Sequence, residues 1–233
     1  MEAPLDDIGQ SLDSHAVTVS DTVLTDLAPQ SYAAARPLLR TGDLVLCSGS
    51  AIFSKAIRWA TRSPWSHIGM VVRLPELDRV MILESVEKYG VRAAALSRMV
   101  SGDGHHRKPY PGPVVIARHA AFEARARADP QRLSNMGVFA ADRLGAPFSS
   151  GEIVKVMTRV ALGGLGINLP RILLPSDEFI CSEYVAQCYR RMDIAIPWDG
   201  LGFIAPADFA ADPLVEAVAR LRPDPVTPVT SEP

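Results

Sequence analysis

The 233-residue chain has no excess of basic charge: 24 lysines and arginines stand against 26 aspartates and glutamates, a formal net charge of −2. Phosphate backbones are held by clustered cations, so no nucleic-acid surface is expected. Cysteine is scarce. Cys47, Cys181 and Cys188 form an odd, sparse set, which excludes a disulfide framework and suits a reducing compartment. No basic residue precedes Arg36, whereas Glu2, Asp6, Asp7, Asp13, Asp21 and Asp26 all do. A secretory leader needs a basic start and then an apolar run, so none is expected here. Long apolar runs are missing too. The longest apolar region, 160–174, is interrupted by glycines, Pro170 and Arg171, short of the roughly 18 apolar residues of a membrane span. These absences predict a cytoplasmic protein with no stable membrane insertion, and no internal repeat suggests a solenoid.

What is present is apolar content of 48%, enough for the core of one large domain. Residues 1–38 are polar and weakly periodic and read as an N-terminal arm, mobile or loosely docked. Residues 39–221 read as the folded domain, and 222–233, with four prolines in "RPDPVTPVTSEP", as a disordered tail. Folded structure is expected to begin at "TGDLVLC", a Gly-Asp turn followed by a strand over 43–47. "SGSAIFSKAIRWATRS" has helical spacing, with Ser50 as N-cap and Pro64 beyond the end. "SHIGMVVRL" and "RVMILESV" read as strands joined at "PELD", and "YGVRAAAL" and "GPVVIARH" as two more, giving an antiparallel run.

After residue 119 the period becomes helical. Asp129-Pro130 starts a helix reaching Leu144, and Ser149 with Glu152 forms a capping box for another over 151–162. A helix follows from Cys181 to about Met192, and "DPLVEAVARL" reads as a last short helix. Helices around a central antiparallel sheet define an α+β domain.

Cys181 lies at the start of its helix, after the polar Ser176-Asp177-Glu178. Unpaired N–H groups and the positive end of the helix dipole stabilise a thiolate there. Cys188 sits two turns deeper, where the dipole is spent, and reads as packing. A helix-start cysteine by itself is more often structural, but His67 alters the balance. It opens an otherwise apolar strand, where an imidazole needs a hydrogen-bond partner or a role. A strand histidine facing a helix-start cysteine is the ion-pair arrangement of papain-type enzymes. Gly69, on the same face, would leave room for a substrate or a neighbouring backbone.

Glu84 supplies a third member. With a four-residue loop at "LPEL" or "PELD", His67 and Glu84 share a face, directly opposite in one register and diagonal in the other. A carboxylate there accepts the second imidazole N–H and fixes the tautomer. Glu76 and Glu87 read as surface.

In this order, "GDLVLCSG", "SPWSHIGMVV", "ILES" and "ICSEYVAQCYRR" resemble the YaeF/YiiX-like permuted papain-fold amidases, relatives of the NlpC-type cell-wall peptidases. The resemblance spans about 38–215 and includes "IAPADFAADPL", similar to the family's Pro-Asp segment. In ordinary NlpC-type domains the cysteine helix precedes the histidine strand; here His67 precedes Cys181, the permuted order. The resemblance implies a circularly permuted papain-like fold over 39–221, with Cys181 as nucleophile, His67 as base and Glu84 as orienting acid.

Other candidates are weaker. Asp103, His105 and His106 lie in a Gly-rich loop, but adjacent histidines diverge on extended chain and no fourth ligand is evident, so a solvated loop is favoured. "GGLG" at 163–166 lacks the Lys-Ser/Thr of a phosphate loop. His15 and His119 have no evident partner, and Ser182 no base that would not serve Cys181 better. The expected activity is thiol-dependent hydrolysis of an amide or ester, with no metal or organic cofactor. A thiol acyltransferase acting on lipids and a catalytically silent binding module are the alternatives. The substrate is expected to be a small molecule, a peptide or lipid-derived, and the aliphatic segment "GGLGINLPRILLP", 163–175, is a candidate apolar wall leading to Cys181.

Overall fold

The computed structural model describes residue 19 and residues 22–102, 108–149, 180–198 and 204–224. In chain order these form α1 (Val23–Asp26), β1 (Pro29–Ser31), α2 (Tyr32–Ala35), β2 (Leu44–Cys47), α3 (Ile52–Thr61), β3 (His67–Leu74), β4 (Arg79–Val86), β5 (Gly90–Ala95) and α4 (Leu96–Ser101). Then come β6 (Val114–His119), α5 (Ala120–Ala128), α6 (Pro130–Asp142), α7 (Cys181–Arg191), α8 (Pro206–Ala211) and β7 (Val215–Arg222). The strands make one mixed α+β sheet in the order β1-β7-β6-β2-β3-β4-β5, with only the β1–β7 pairing parallel among the described residues.

β2 is central, and all four of its residues are buried. Alternation sends Leu44 and Leu46 to one face and Val45 and Cys47 to the other. The first face meets Tyr184, Val185 and Cys188 of α7, Phe122 of α5, Met136 and Phe139 of α6 and Phe209 of α8. The second meets Tyr32 and Ala35 of α2 and Leu96 and Val100 of α4. The turn into β2 is set by Gly42, at φ 92°, where a Cβ would run into the Phe122 ring. Asp43, 1% exposed, accepts from Arg40 N and is held by two hydrogen bonds from the Arg118 guanidinium, of 2.7 and 2.8 Å.

The four strands from β3 to β6 and the α6 helix lie where the sequence pattern puts them. Asp129 caps α6 by accepting from Arg132 N, with Pro130 as the first helical residue. α3 begins one residue later than expected, with Ala51 rather than Ser50 in the cap position and no side-chain cap.

Two readings are corrected. "DPLVEAVARL" is not a helix: its residues 215–221, with Arg222, form β7 (Val215–Arg222), between β1 and β6. Short apolar segments carry ambiguous periodicity; here β6 pairs with one side of the backbone and β1 with the other at Arg220–Arg222. A bulge between Ile116 and Ala117 shifts the register with β7, so Val215 packs into the first core and Ala219 and Leu221 into the second. Folded structure also begins before Gly42. Val19 and Val23 are buried in the first core, Tyr32 and Ala35 in the second, and Pro29–Ser31 pairs with Arg220–Arg222. These residues have weak periodicity because each short piece serves a different surface.

Glu152 of the expected capping box with Ser149, the helix 151–162, the aliphatic segment 163–175, the Asp103–His106 cluster, His15 and the tail from 225 lie outside the described residues. No described helix is long and apolar enough to cross a membrane.

Candidate active site

β3 starts at His67, and β2 ends at its partner Cys47. The loop between them turns back tightly: Ser66 N donates to Cys47 O at 2.9 Å and Gly49 N to Ser66 Oγ at 2.8 Å. Ile68 and Met70 of β3 pack in the same core as Cys181, Tyr184 and Val185, which brings the N-terminus of α7 to the end of the strand where His67 stands. Cys181 is the first residue of α7, after Ile180, whose φ −79° and ψ 158° are extended. The His67 imidazole and the backbone N–H groups of Ile68 and Ser182 stand close enough to the Cys181 sulfur to favour the charged thiolate. The Ser182 hydroxyl is turned away, donating to Ile204 O at 2.7 Å.

β3 and β4 pair with Met70 opposite Leu83, the register in which Glu84 is diagonal to His67. The carboxylate closes that diagonal: Glu84 Oε2 lies 2.7 Å from His67 Nε2. Gly69 serves packing here, since a Cβ would strike Ile82 Cδ1 at 2.6 Å and approach the Leu83 carbonyl at 3.0 Å. Glu84 is 2% exposed and its other oxygen is also taken. Arg92, opposite Glu84 on β5, donates to Oε1 from Nε at 2.9 Å and from Nη2 at 2.7 Å. Sequence reasoning missed Arg92. The signal lay in the β4–β5 pairing, which sets a cation directly across from the acid.

The electrostatics follow from these contacts. Burial raises the Cys181 thiol, but the His67 charge and hydrogen bond, with the N–H groups of Ile68 and Ser182, outweigh it and lower the pKa. Burial likewise lowers His67, and Cys181 and Glu84 overcome it, raising the imidazole to about 10. Glu84 is raised by burial and lowered more by His67 and Arg92. Both shifts run in the direction that favours a thiolate–imidazolium pair, backed by a carboxylate and a guanidinium. The other thiols behave oppositely: burial pushes Cys188 up to about 12 and holds Cys47 well above the ordinary thiol value.

Tyr110 also borders the site. Burial, with the negative groups at Cys181 and Glu84, pushes its phenol pKa up, against a lowering by the Ser66 side chain. A Cβ on Gly49 would come within 2.9 Å of the Tyr110 hydroxyl. The weaker candidate His119 has partners after all: Nδ1 accepts from Ala121 N at 3.1 Å, and Nε2 lies 3.6 Å from Asp212 Oδ2.

No family model and no curated protein matches the sequence. Among solved structures, one described as the crystal structure of metalloprotein yiiX from Escherichia coli O157:H7, DUF1105, matches with a TM-score of 0.52 at 19% identity, over 79% of this chain and 98% of that one. The fold is similar to that of yiiX. That description makes yiiX a metalloprotein, whereas the donors at the Cys181–His67–Glu84 site do not suit a metal. No group of three or more His, Cys, Asp or Glu among the described residues could hold one. At the site both Glu84 oxygens are occupied, one by a guanidinium that would repel a cation.

Proposed function

We propose that the protein is a cysteine-dependent hydrolase of amide or ester bonds with a permuted papain-like domain, akin to the YaeF/YiiX amidases and the NlpC-type peptidases. The observation that carries this reading is the chain of contacts from Cys181 through His67 to Glu84 and Arg92, in a site where only one of three thiols is acidified. The thiolate of Cys181 attacks the carbonyl carbon, and electrons move onto its oxygen. The N–H groups of the first α7 turn, which have no acceptor within the helix, are the donors available to that oxyanion. Collapse expels the amine or alcohol, which takes its proton from the His67 imidazolium and leaves a thioester. Neutral His67 then accepts a proton from the attacking water, and release of the acid restores the thiolate–imidazolium pair. Glu84 holds the imidazole by its Nε2, leaving the other nitrogen for the thiol, and Arg92 holds Glu84.

The test is an acyl adduct. Brief exposure to p-nitrophenyl acetate should add one acetyl group, mapped by mass spectrometry to Cys181, with release of p-nitrophenol. Cys181→Ala should abolish both adduct and turnover while the circular-dichroism spectrum stays native. Turnover in Cys181→Ala equal to the parent's would overturn the assignment.

A further inference from the structure

Among the described residues, α3 contributes to neither core. Among its residues with described side chains none is buried, although the helix is strongly amphipathic. Its outermost stripe is Ile52, Lys55, Trp59 and the following Arg62, spaced three, four and three residues apart and therefore on one side of the helix. Ile52 is 86% and Trp59 68% exposed. Helices usually present charge to water and apolar groups to the core. Here the solvent-facing stripe itself alternates large apolar side chains with cations, and no acid occurs between Asp43 and Glu76.

The position of this helix gives the stripe a purpose. α3 connects Cys47 to His67, so it stands at the end of the sheet that carries the thiolate and imidazole. The helix is pinned there by Arg58, which donates to Ser48 Oγ at 2.9 Å. The β4–β5 turn emerges at the same end, just beyond Glu84, and repeats the chemistry. Tyr89 is 54% exposed, with Lys88 Nζ 5.4 Å and Arg92 Cζ 5.0 Å from its ring centre. Lys108 is exposed in the segment leading into β6, whose first residue also faces Cys47. Glu87 is the exposed acid at the β4–β5 tip.

An exposed tryptophan and tyrosine flanked by cations suit the boundary between water and an anionic lipid surface, where the ring sits among headgroups and the cations meet phosphates. We propose that α3 and the β4–β5 turn dock this end of the molecule on an anionic phospholipid bilayer, turning the Cys181 site toward it. On the hydrolase reading, which this extends, the substrate is then an ester or amide carried by the membrane. The cation–aromatic stripe also argues against a second copy as occupant, because two such faces would set like charges against each other.

Flotation with vesicles tests this, using phosphatidylcholine alone or with about 30% phosphatidylglycerol. The full chain should float with the anionic vesicles only and be released by about 0.5 M NaCl. Lys55→Glu/Arg62→Glu and Ile52→Ser/Trp59→Ser should each weaken binding about 10-fold or more, while Leu77→Ser, at the opposite end of the sheet, should not. p-Nitrophenyl acetate turnover should be the same in all. No binding by the parent, or binding undiminished by both double variants, overturns the proposal. So does a dimer in solution that Ile52→Ser/Trp59→Ser dissociates while vesicles bind neither form. Vesicle binding without any ester turnover upholds the docking surface and sinks the hydrolase reading.

Discussion

Glu84 serves two cations at once, His67 on one oxygen and Arg92 on the other, from a position 2% exposed. A buried carboxylate without them would be raised toward neutrality, and a neutral carboxyl orients an imidazole poorly. Glu84→Gln is therefore expected to cut turnover by about 100-fold or more, by analogy with loss of a triad carboxylate. Arg92→Met should lower it less, because His67 still has its acceptor. Equal activity of Glu84→Gln and the parent would refute the orienting role. The pH dependence of alkylation is a second check. Cys181 is lowered and His67 raised to about 10, and the proposed ion pair requires a thiolate already formed near neutrality. Iodoacetamide should then label Cys181 first, at a rate nearly flat from about pH 7 to 9. In His67→Ala the rate should climb across that range toward the free-thiol pKa of about 8.5. A steep climb in the parent would mean there is no ion pair. The three side chains at the centre were legible because each broke a local pattern: a thiol at a helix start, an imidazole in an apolar strand, a carboxylate between apolar neighbours. Arg92 broke none, since a strand arginine looks like surface until its cross-strand partner is known.

Elements that carry their own boundary signals were equally legible. Asp129-Pro130 opens α6, and "PELD" turns β3 into β4 through Pro75–Leu77 and a left-handed Asp78. α5 begins with a less familiar device, the His119 side chain, whose Nδ1 accepts from Ala121 N. That bond requires a neutral ring with its proton on Nε2, toward Asp212. Burial lowers the His119 pKa, against the opposing effect of Asp212. The folded state therefore binds this proton less readily than the unfolded chain. Its contribution is complete above the unfolded value of about 6.5 and fades as pH falls. His119→Ala should cost about 1 kcal/mol by urea denaturation near pH 7.5, a gap that narrows near pH 5. A gap that widened on acidification would mean a charged histidine stabilises the fold.

Across the whole molecule, one sheet separates two cores, and residues before Gly42 contribute to both. Val19 and Val23 are buried in one, Tyr32 and Ala35 in the other, and β1 covers the edge of β7. An uncovered edge strand templates aggregation, and each fully buried large apolar side chain contributes about 1.5–3 kcal/mol. Deleting residues 1–38 should therefore lower thermal stability by about 10 °C or more or yield aggregated protein. An unchanged melting temperature would return these residues to the status of a detachable arm.

The sequence by itself determined the α+β class, the strands from β2 to β6, the cap that opens α6, the start of α7 at Cys181, and the shared face of His67 and Glu84. All of these follow from local periodicity, turn chemistry and the two-residue alternation of a strand. Only the tertiary structure decided that residues 215–222 are a strand, that β1 pairs parallel to it, that Arg92 locks Glu84, and that none of the described side chains of α3 is buried. The strand at 215–222 and its parallel partner depend on contacts between residues distant in the chain, and the Arg92–Glu84 bond on the register of the β4–β5 hairpin. Backbone groups in a short apolar segment can be satisfied by helix or by sheet, and the available neighbours select between them.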